Sequence, residues 1–213
     1  VGVDHLLHTS TSEVYGTAQY VPIDESHPLQ GQSPYSASKI GADMLAESYY
    51  RSFDVPVSIV RPFNTYGPRQ SARAVIPAIF TQLHSGVDQI KLGSLHPKRD
   101  FNFVLDTVSG FLAAAQNKTT VGRVVNVGSG REVTIEELVS LIIEVAGKNA
   151  DIVCDVERMR PEKSEVDRLL ADISLAKETM DWKPYYTLEE GLVITSEWIS
   201  KNLSRYQLNS YVL

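Results

Sequence analysis

The strongest constraint on the fold is a strand–helix–strand succession near the start of the chain. Residues Asp4–Ser10 form a short apolar run ending in small hydroxyl residues, which predicts a buried strand. A helix is expected from Pro34 onward, because Ser33-Pro34 is a helix-start signal and Tyr35, Ile40, Met44, Leu45, Tyr49 and Phe53 follow at helical spacing. Val55–Arg61 is β-branched and closed by Pro62, hence a second strand. A helix between two such strands puts them parallel in one sheet, so the fold class is α/β. Gly16–Pro34, rich in turn formers, reads as a loop.

The remaining elements continue the alternation. Helices are expected over Val75–Ser85, Leu105–Asn117, Thr134–Ala146, Ser174–Met180 and Thr187–Leu203, and strands over Ile90–Leu92, Phe101–Val104, Arg123–Val127 and Ile152–Asp155. Thr134 with Glu137 three residues on is a capping-box pattern. Gly128-Ser129-Gly130 reads as a tight strand-to-helix turn, since no P-loop Lys follows it. The layout suits the end of one α/β domain over 1–70, a smaller mixed α/β lobe over 71–203 with returning segments near 99–127, and a tail over 204–213.

Composition narrows the function. A net charge of -6 excludes a chain-wide basic surface, so nucleic acid and anionic membrane are not expected partners, and any anionic ligand needs a local cluster of basic side chains. No apolar run approaches a membrane span and no signal peptide is visible, so a cytoplasmic protein is expected. The single cysteine, Cys154, permits no internal disulfide and is expected to be a buried small hydrophobe. The five histidines have no metal-ligand spacing, so no metal is expected; His8 is read as strand-lining and His27, His84 and His96 as exposed.

Tyr35 and Lys39 lie one turn apart on the first helix, so the ammonium can sit beside the phenol. A free phenol titrates near 10, and bringing one to about 7 takes roughly 4 kcal/mol of selective phenolate stabilisation. One positive charge at about 4 Å supplies roughly 4 kcal/mol at an effective dielectric near 20. The pair is a candidate general base. Tyr and Lys at this spacing also occur on helices with no chemistry, so context decides. Thr9-Ser10-Thr11-Ser12-Glu13 supplies it: hydroxyls and a carboxylate at the carboxyl end of a strand, where ligands of parallel α/β sheets bind. The ordinary alternative is that these hydroxyls only cap a turn.

The ordered runs TSTSEVYG, SPYSASK, RPFNTYGPR, KRDFNFV, VNVGSG, RPEKSEV and DWKP resemble the extended short-chain dehydrogenase/reductase family acting on nucleotide sugars. The resemblance covers nearly the whole chain. It implies the C-terminal part of a Rossmann-like parallel sheet plus a smaller mixed α/β substrate-binding lobe. Thr11-Ser12-Glu13 resembles the signature of the 4,6-dehydratases, in which the Glu removes the proton at sugar C5, the Thr acts at the C4 oxygen and the middle residue lies near the C6 leaving group. Some dehydratases have Asp as general acid where Ser12 stands; the Ser form resembles the GDP-mannose dehydratases. Tyr35 and Lys39 complete the implied catalytic set, and Ser10, Tyr35, Lys39 and Pro62 the implied cofactor contacts.

By the same resemblance Asn64, Val75, Lys91, Leu92, Arg99, Asn126 and Arg160 meet the substrate, Arg99 at the diphosphate. The cofactor implied is NAD or NADP, with NAD favoured. The partner implied is a GDP- or UDP-linked hexose or N-acetylhexosamine, and the helix from Tyr35 implies a homodimer. Nucleotide-glucuronate decarboxylases share the Thr-Ser-Glu run, and 4-epimerases carry small residues in place of Glu13. Arg160-Pro161-Glu162-Lys163-Ser164-Glu165-Val166 looks more like the dehydratases that make 4-keto-6-deoxy sugars for legionaminic-acid-type products. The alternatives kept are decarboxylase, epimerase and a non-catalytic sugar-nucleotide-binding fragment. No strand followed by G-x-x-G-x-x-G and a helix is found, and the chain lacks an initial Met. The cofactor-seating segment is therefore expected upstream of Val1, and this fragment alone is expected to bind cofactor poorly and turn over little.

Overall fold

A computed structural model describes residues 2–159 and 165–206. Three parallel strands form the first sheet: β1 (Leu6–Thr9), β2 (Val57–Pro62) and β6 (Val124–Val127), with β2 in the middle. Leu6 pairs with Val57 and Thr9 with Val60, while Ile59 pairs with Val124 and Pro62 with Val127. Because the strands are parallel, their carboxyl ends emerge on one side, and that side carries the candidate site.

Between β1 and β2 runs α1 (Pro34–Phe53). Ser33 Oγ accepts from the Ser36 amide at 3.1 Å and Ser36 Oγ accepts from the Ser33 amide at 3.0 Å, a reciprocal cap that starts the helix beside the end of β1. Only Ser36 and Asp43 of α1 are buried. Met44, Leu45, Tyr49 and Phe53 stay exposed, the last at 70%.

A second sheet is built around β5 (Lys98–Phe103), which pairs in parallel with β3 (Asn64–Tyr66) and β9 (Arg168–Leu169), and antiparallel with β7 (Glu132–Thr134). A separate parallel pair joins β4 (Gln89–Leu92) to β8 (Asp151–Cys154). Helices α2 (Val75–His84), α4 (Ile135–Ala146) and α6 (Leu188–Lys201) pack on these strands around Phe80, Leu138, Ile142 and Leu192. The close approach of α6 depends on Gly191, where a Cβ would overlap the Tyr66 hydroxyl. Helices α3 (Val104–Gln116) and α5 (Ser174–Met180) close the first sheet over Val60, Val125, Val127 and Trp182.

Buried Asp100 on β5 joins the two sheets. Its carboxylate accepts from the Ser129 amide (2.8 Å), the Ser129 hydroxyl (2.6 Å), the Gly130 amide (3.0 Å) and the Ala171 amide (3.2 Å). Burial pushes this carboxyl up to about 6 against the pull of those bonds. The Gly128–Gly130 turn it ties down leads from β6 into β7 and only then into α4, so it is a strand-to-strand turn and not the strand-to-helix turn expected.

Other expectations are corrected. His27 is 2% exposed, because Nε2 accepts the Gln19 amide at 3.0 Å and the ring packs between Tyr15 and Tyr20. His84 is part-buried, its Nε2 within 3.1 Å of Ser196 Oγ. Cys154 is exposed, since β8 is the outer strand of a two-stranded pair. The Thr134–Glu137 capping box forms as expected. Among the described residues no helix is long and apolar enough to cross a membrane, and no group of side chains could hold a metal ion.

Candidate active site

The end of β1 is fixed by the Ser10 amide, which donates to the Val60 carbonyl at 2.8 Å. The chain then turns at Thr11, whose Oγ1 accepts from the Glu13 amide at 3.2 Å, starting a single 3-10 turn over Ser12–Tyr15. The hydroxyl therefore does cap a turn, and the turn aims Glu13 into a cavity of about 310 Å³.

That cavity lies against the second sheet, beside the turn that follows β1. Its walls include Asn64 and Thr65 of β3, the start of α2 at Val75, the end of β4 at Leu92, and Arg99 and Phe101 of β5. Five sequence-predicted residues thus meet around one space: Glu13, Asn64, Val75, Leu92 and Arg99. Two arginines that the sequence analysis did not single out, Arg73 and Arg158, line it as well. Arg99 donates to Glu165 at 3.0 Å and Arg158 to Asp155 at 3.2 Å. Three guanidinium groups, two of them ion-paired, and the carboxylates of Glu13 and Glu165 thus line one polar cavity.

Tyr35 and Lys39 stand on the first turns of α1. Lys39 Nζ donates to the Thr9 carbonyl at 2.5 Å, which ties the ammonium to the strand end that leads into Thr11 and Glu13. One of its three donors is used there, leaving two for a ligand. The Tyr35 side chain is 55% exposed, and its hydroxyl has no hydrogen-bond partner among the described residues. Tyr35 and Lys39 thus offer a phenol and a partly engaged ammonium near the end of β1, and neither lines the cavity that Glu13 enters. Ser10 offers less than expected, since it is buried and its hydroxyl donates to Asp43 at 2.8 Å. Pro62 closes β2 opposite Val127.

Three further expectations fare differently. Lys91 alternates away from buried Leu92, and its amide and carbonyl are both engaged by Gln82, at 2.9 Å and 3.3 Å. Asn126 is not brought to the cavity: it is fully buried, accepting from Tyr15 at 2.8 Å and donating to the Ile23 carbonyl at 3.0 Å. Arg160 lies outside the described residues, as do most of the 160–166 run.

Sequence reasoning also missed a buried polar group behind the site, formed by Asp43, Arg61 and Tyr15. The one available signal was the four-residue spacing of Lys39 and Asp43 on α1. Burial lifts the Tyr15 phenol to about 12, so it remains protonated.

A family profile described as GDP-mannose 4,6 dehydratase matches residues 3–195. A dTDP-glucose 4,6-dehydratase of Actinoplanes sp. is 34% identical over 95% of this chain and 62% of its own length. A putative UDP-glucose 4-epimerase of Methanocaldococcus jannaschii is 31% identical over 94% of this chain and 64% of its own. Among solved structures, dTDP-glucose 4,6-dehydratase from Bacillus anthracis in complex with NAD superposes with a TM-score of 0.86 at 34% identity, covering 94% of this chain and 63% of that one. The chain therefore spans a little under two thirds of the length of the proteins it matches.

Proposed function

The chain belongs to the GDP-mannose 4,6 dehydratase family, and on that premise we propose that it carries the acid–base site of a nucleotide-sugar 4,6-dehydratase. The observation that supports this reading above a plain dehydrogenase or epimerase is Glu13, a carboxylate lining the same cavity as three arginines. An elimination across C5 and C6 needs a base at C5, and oxidation at C4 alone does not.

Bound NAD, which Tyr35 and Lys39 would hold, would supply a reversible hydride acceptor for the C4 hydrogen. Tyr35 accepts the proton of the C4 hydroxyl, with Lys39 holding the phenolate and Thr11 at the C4 oxygen. The resulting C4 ketone makes the C5 hydrogen acidic. Glu13 removes that proton as the C6 hydroxyl, with Ser12 nearby, leaves as water with a proton drawn from solvent, which Tyr35 replaces when it releases the C4 hydroxyl proton. Glu13, its proton exchanged with solvent, then protonates C5 as C6 is reduced, giving a 4-keto-6-deoxy sugar. Atoms balance as loss of one water, and the cofactor ends in its starting oxidation state.

Arg99, Arg73 and Arg158 are assigned to the diphosphate. Charge-assisted hydrogen bonds of this kind contribute about 1.5–3 kcal/mol each, so Arg99→Ala is expected to raise KM about 10–100-fold while kcat stays within about threefold. Steady-state kinetics on the complete protein checks this, and a fall confined to kcat would remove Arg99 from the binding role.

A second reading, 4-epimerisation, has the Methanocaldococcus relative in its favour. Product mass separates the two, since an epimer weighs the same as its substrate. The exposed row Leu45, Tyr49 and Phe53 on α1 is assigned to a second copy of the chain. Leu45→Lys together with Tyr49→Lys is expected to convert a dimer into a monomer by sedimentation, and an unchanged mass would refute the assignment.

A further inference from the structure

Between α1, β2 and the Glu13 turn lies a buried chain of polar side chains that the chemistry above does not use. Asp43, 0% exposed, accepts from Ser10 Oγ (2.8 Å), His8 Nε2 (3.1 Å), Arg61 Nε (3.1 Å) and Arg61 Nη2 (3.0 Å). The third arm of the same guanidinium, Nη1, donates to the Tyr15 hydroxyl at 3.0 Å, and the Tyr15 hydroxyl donates in turn to Asn126 Oδ1 at 2.8 Å. None of Asp43, Arg61 or Tyr15 lines the cavity.

The two ends of this chain are attached to the two halves of the site. Asp43 sits one helical turn beyond Lys39 on α1, so whatever fixes Asp43 fixes the height and rotation of the Tyr35/Lys39 face. Tyr15 closes the 3-10 turn that begins at Ser12 and carries Glu13. Ser10, which donates to Asp43, follows the Thr9 carbonyl that holds Lys39 and precedes Thr11. We infer that Arg61 and Tyr15 are positioning residues: the guanidinium ties α1, through Asp43, to the Glu13 turn, through Tyr15, and so sets the Tyr35/Lys39 pair and the Glu13 carboxylate in register on one sugar ring. The inference rests on the dehydratase reading of Glu13 and Tyr35.

The physical case is one of rigidity more than stability. A buried ion pair contributes little net stability because both ions lose water, but it permits one arrangement where an apolar contact would permit several. A guanidinium with two arms on one carboxylate and a third on a phenol cannot slide without leaving a donor unmet. Displacing a reacting group by about 1 Å costs on the order of 10²-fold in rate, so a joint of this kind is felt in kcat before it is felt in binding.

The test is a double-mutant cycle in the complete protein, assayed by mass on dTDP-glucose, GDP-mannose and UDP-N-acetylglucosamine. Tyr15→Phe keeps the packed ring and deletes only the hydroxyl that joins Arg61 to the Glu13 turn. It is expected to lower kcat about tenfold with KM within about threefold, at a temperature where the variant is fully folded. Made on a Glu13→Asp background, in which the carboxylate is already out of register, the same change is expected to cost less than about twofold. An equal loss in both backgrounds marks a merely structural hydroxyl and overturns the inference, as does an unchanged kcat for Tyr15→Phe alone. Failure of the underlying reading shows itself differently, as a Glu13→Asp variant that turns over like the parent.

Discussion

Tyr35→Phe is expected to lower kcat by about 10²–10⁴-fold, the usual contribution of a general base in this position, with KM within about threefold and the thermal midpoint nearly unchanged. The separation of chemistry from stability follows from the structure. The hydroxyl has no protein partner among the described residues, and the side chain is more than half exposed, so its loss leaves no buried group unmet. On the proposed reading, what is lost is the acceptor for the C4 hydroxyl proton, one helical turn from an ammonium that the Thr9 carbonyl fixes at 2.5 Å. Turnover and differential scanning calorimetry on the same preparation check both halves. A Tyr35→Phe protein with full turnover would remove Tyr35 from the role of base.

Glu13→Gln is the second large effect. Gln keeps the size of the side chain and the amide that Thr11 caps, so the cavity and the turn are expected to persist. It removes the base, and dehydration is expected to fall about 10²–10⁴-fold with substrate affinity, read by calorimetric titration, within about threefold. The outcome discriminates between reactions. An epimerase moves hydrogen only at C4 and has no proton to take from C5, so a Glu13→Gln protein that still turns over would favour epimerisation.

How much of this was readable in the sequence depends on how local each feature is. The capped starts of α1 and α4 are set by residues three apart, and both form as their sequences imply. β3, β7 and β9 are three residues long or fewer, too short to show an alternation, and exist because β5 pairs with them. His27 was misread because turn formers surround it, while the loop folds its ring against Tyr15 and Tyr20. Glu13 and Arg99 are 86 positions apart, yet motif order alone placed both at the ligand, and both line the cavity. Arg73 and Arg158 carry no such motif and join them only through the tertiary fold. Arg61 and Asn126 lie within motifs, but their partners Asp43 and Tyr15 come from other elements, so their structural use could not be read from spacing. Asn126 shows the cost of transferring a role by motif: the side chain is consumed by two hydrogen bonds inside the protein.

The central claim is that a carboxylate at the end of β1 takes a proton from sugar C5 so that water can leave. Running the complete protein with nucleotide sugars in deuterium oxide, and reading the product by mass and proton resonance, tests that step itself. The account predicts a product lighter by one water with one solvent deuterium at C5. A product of unchanged mass with no deuterium at C5, or one that has lost carbon dioxide from a C5 carboxylate instead, would contradict it.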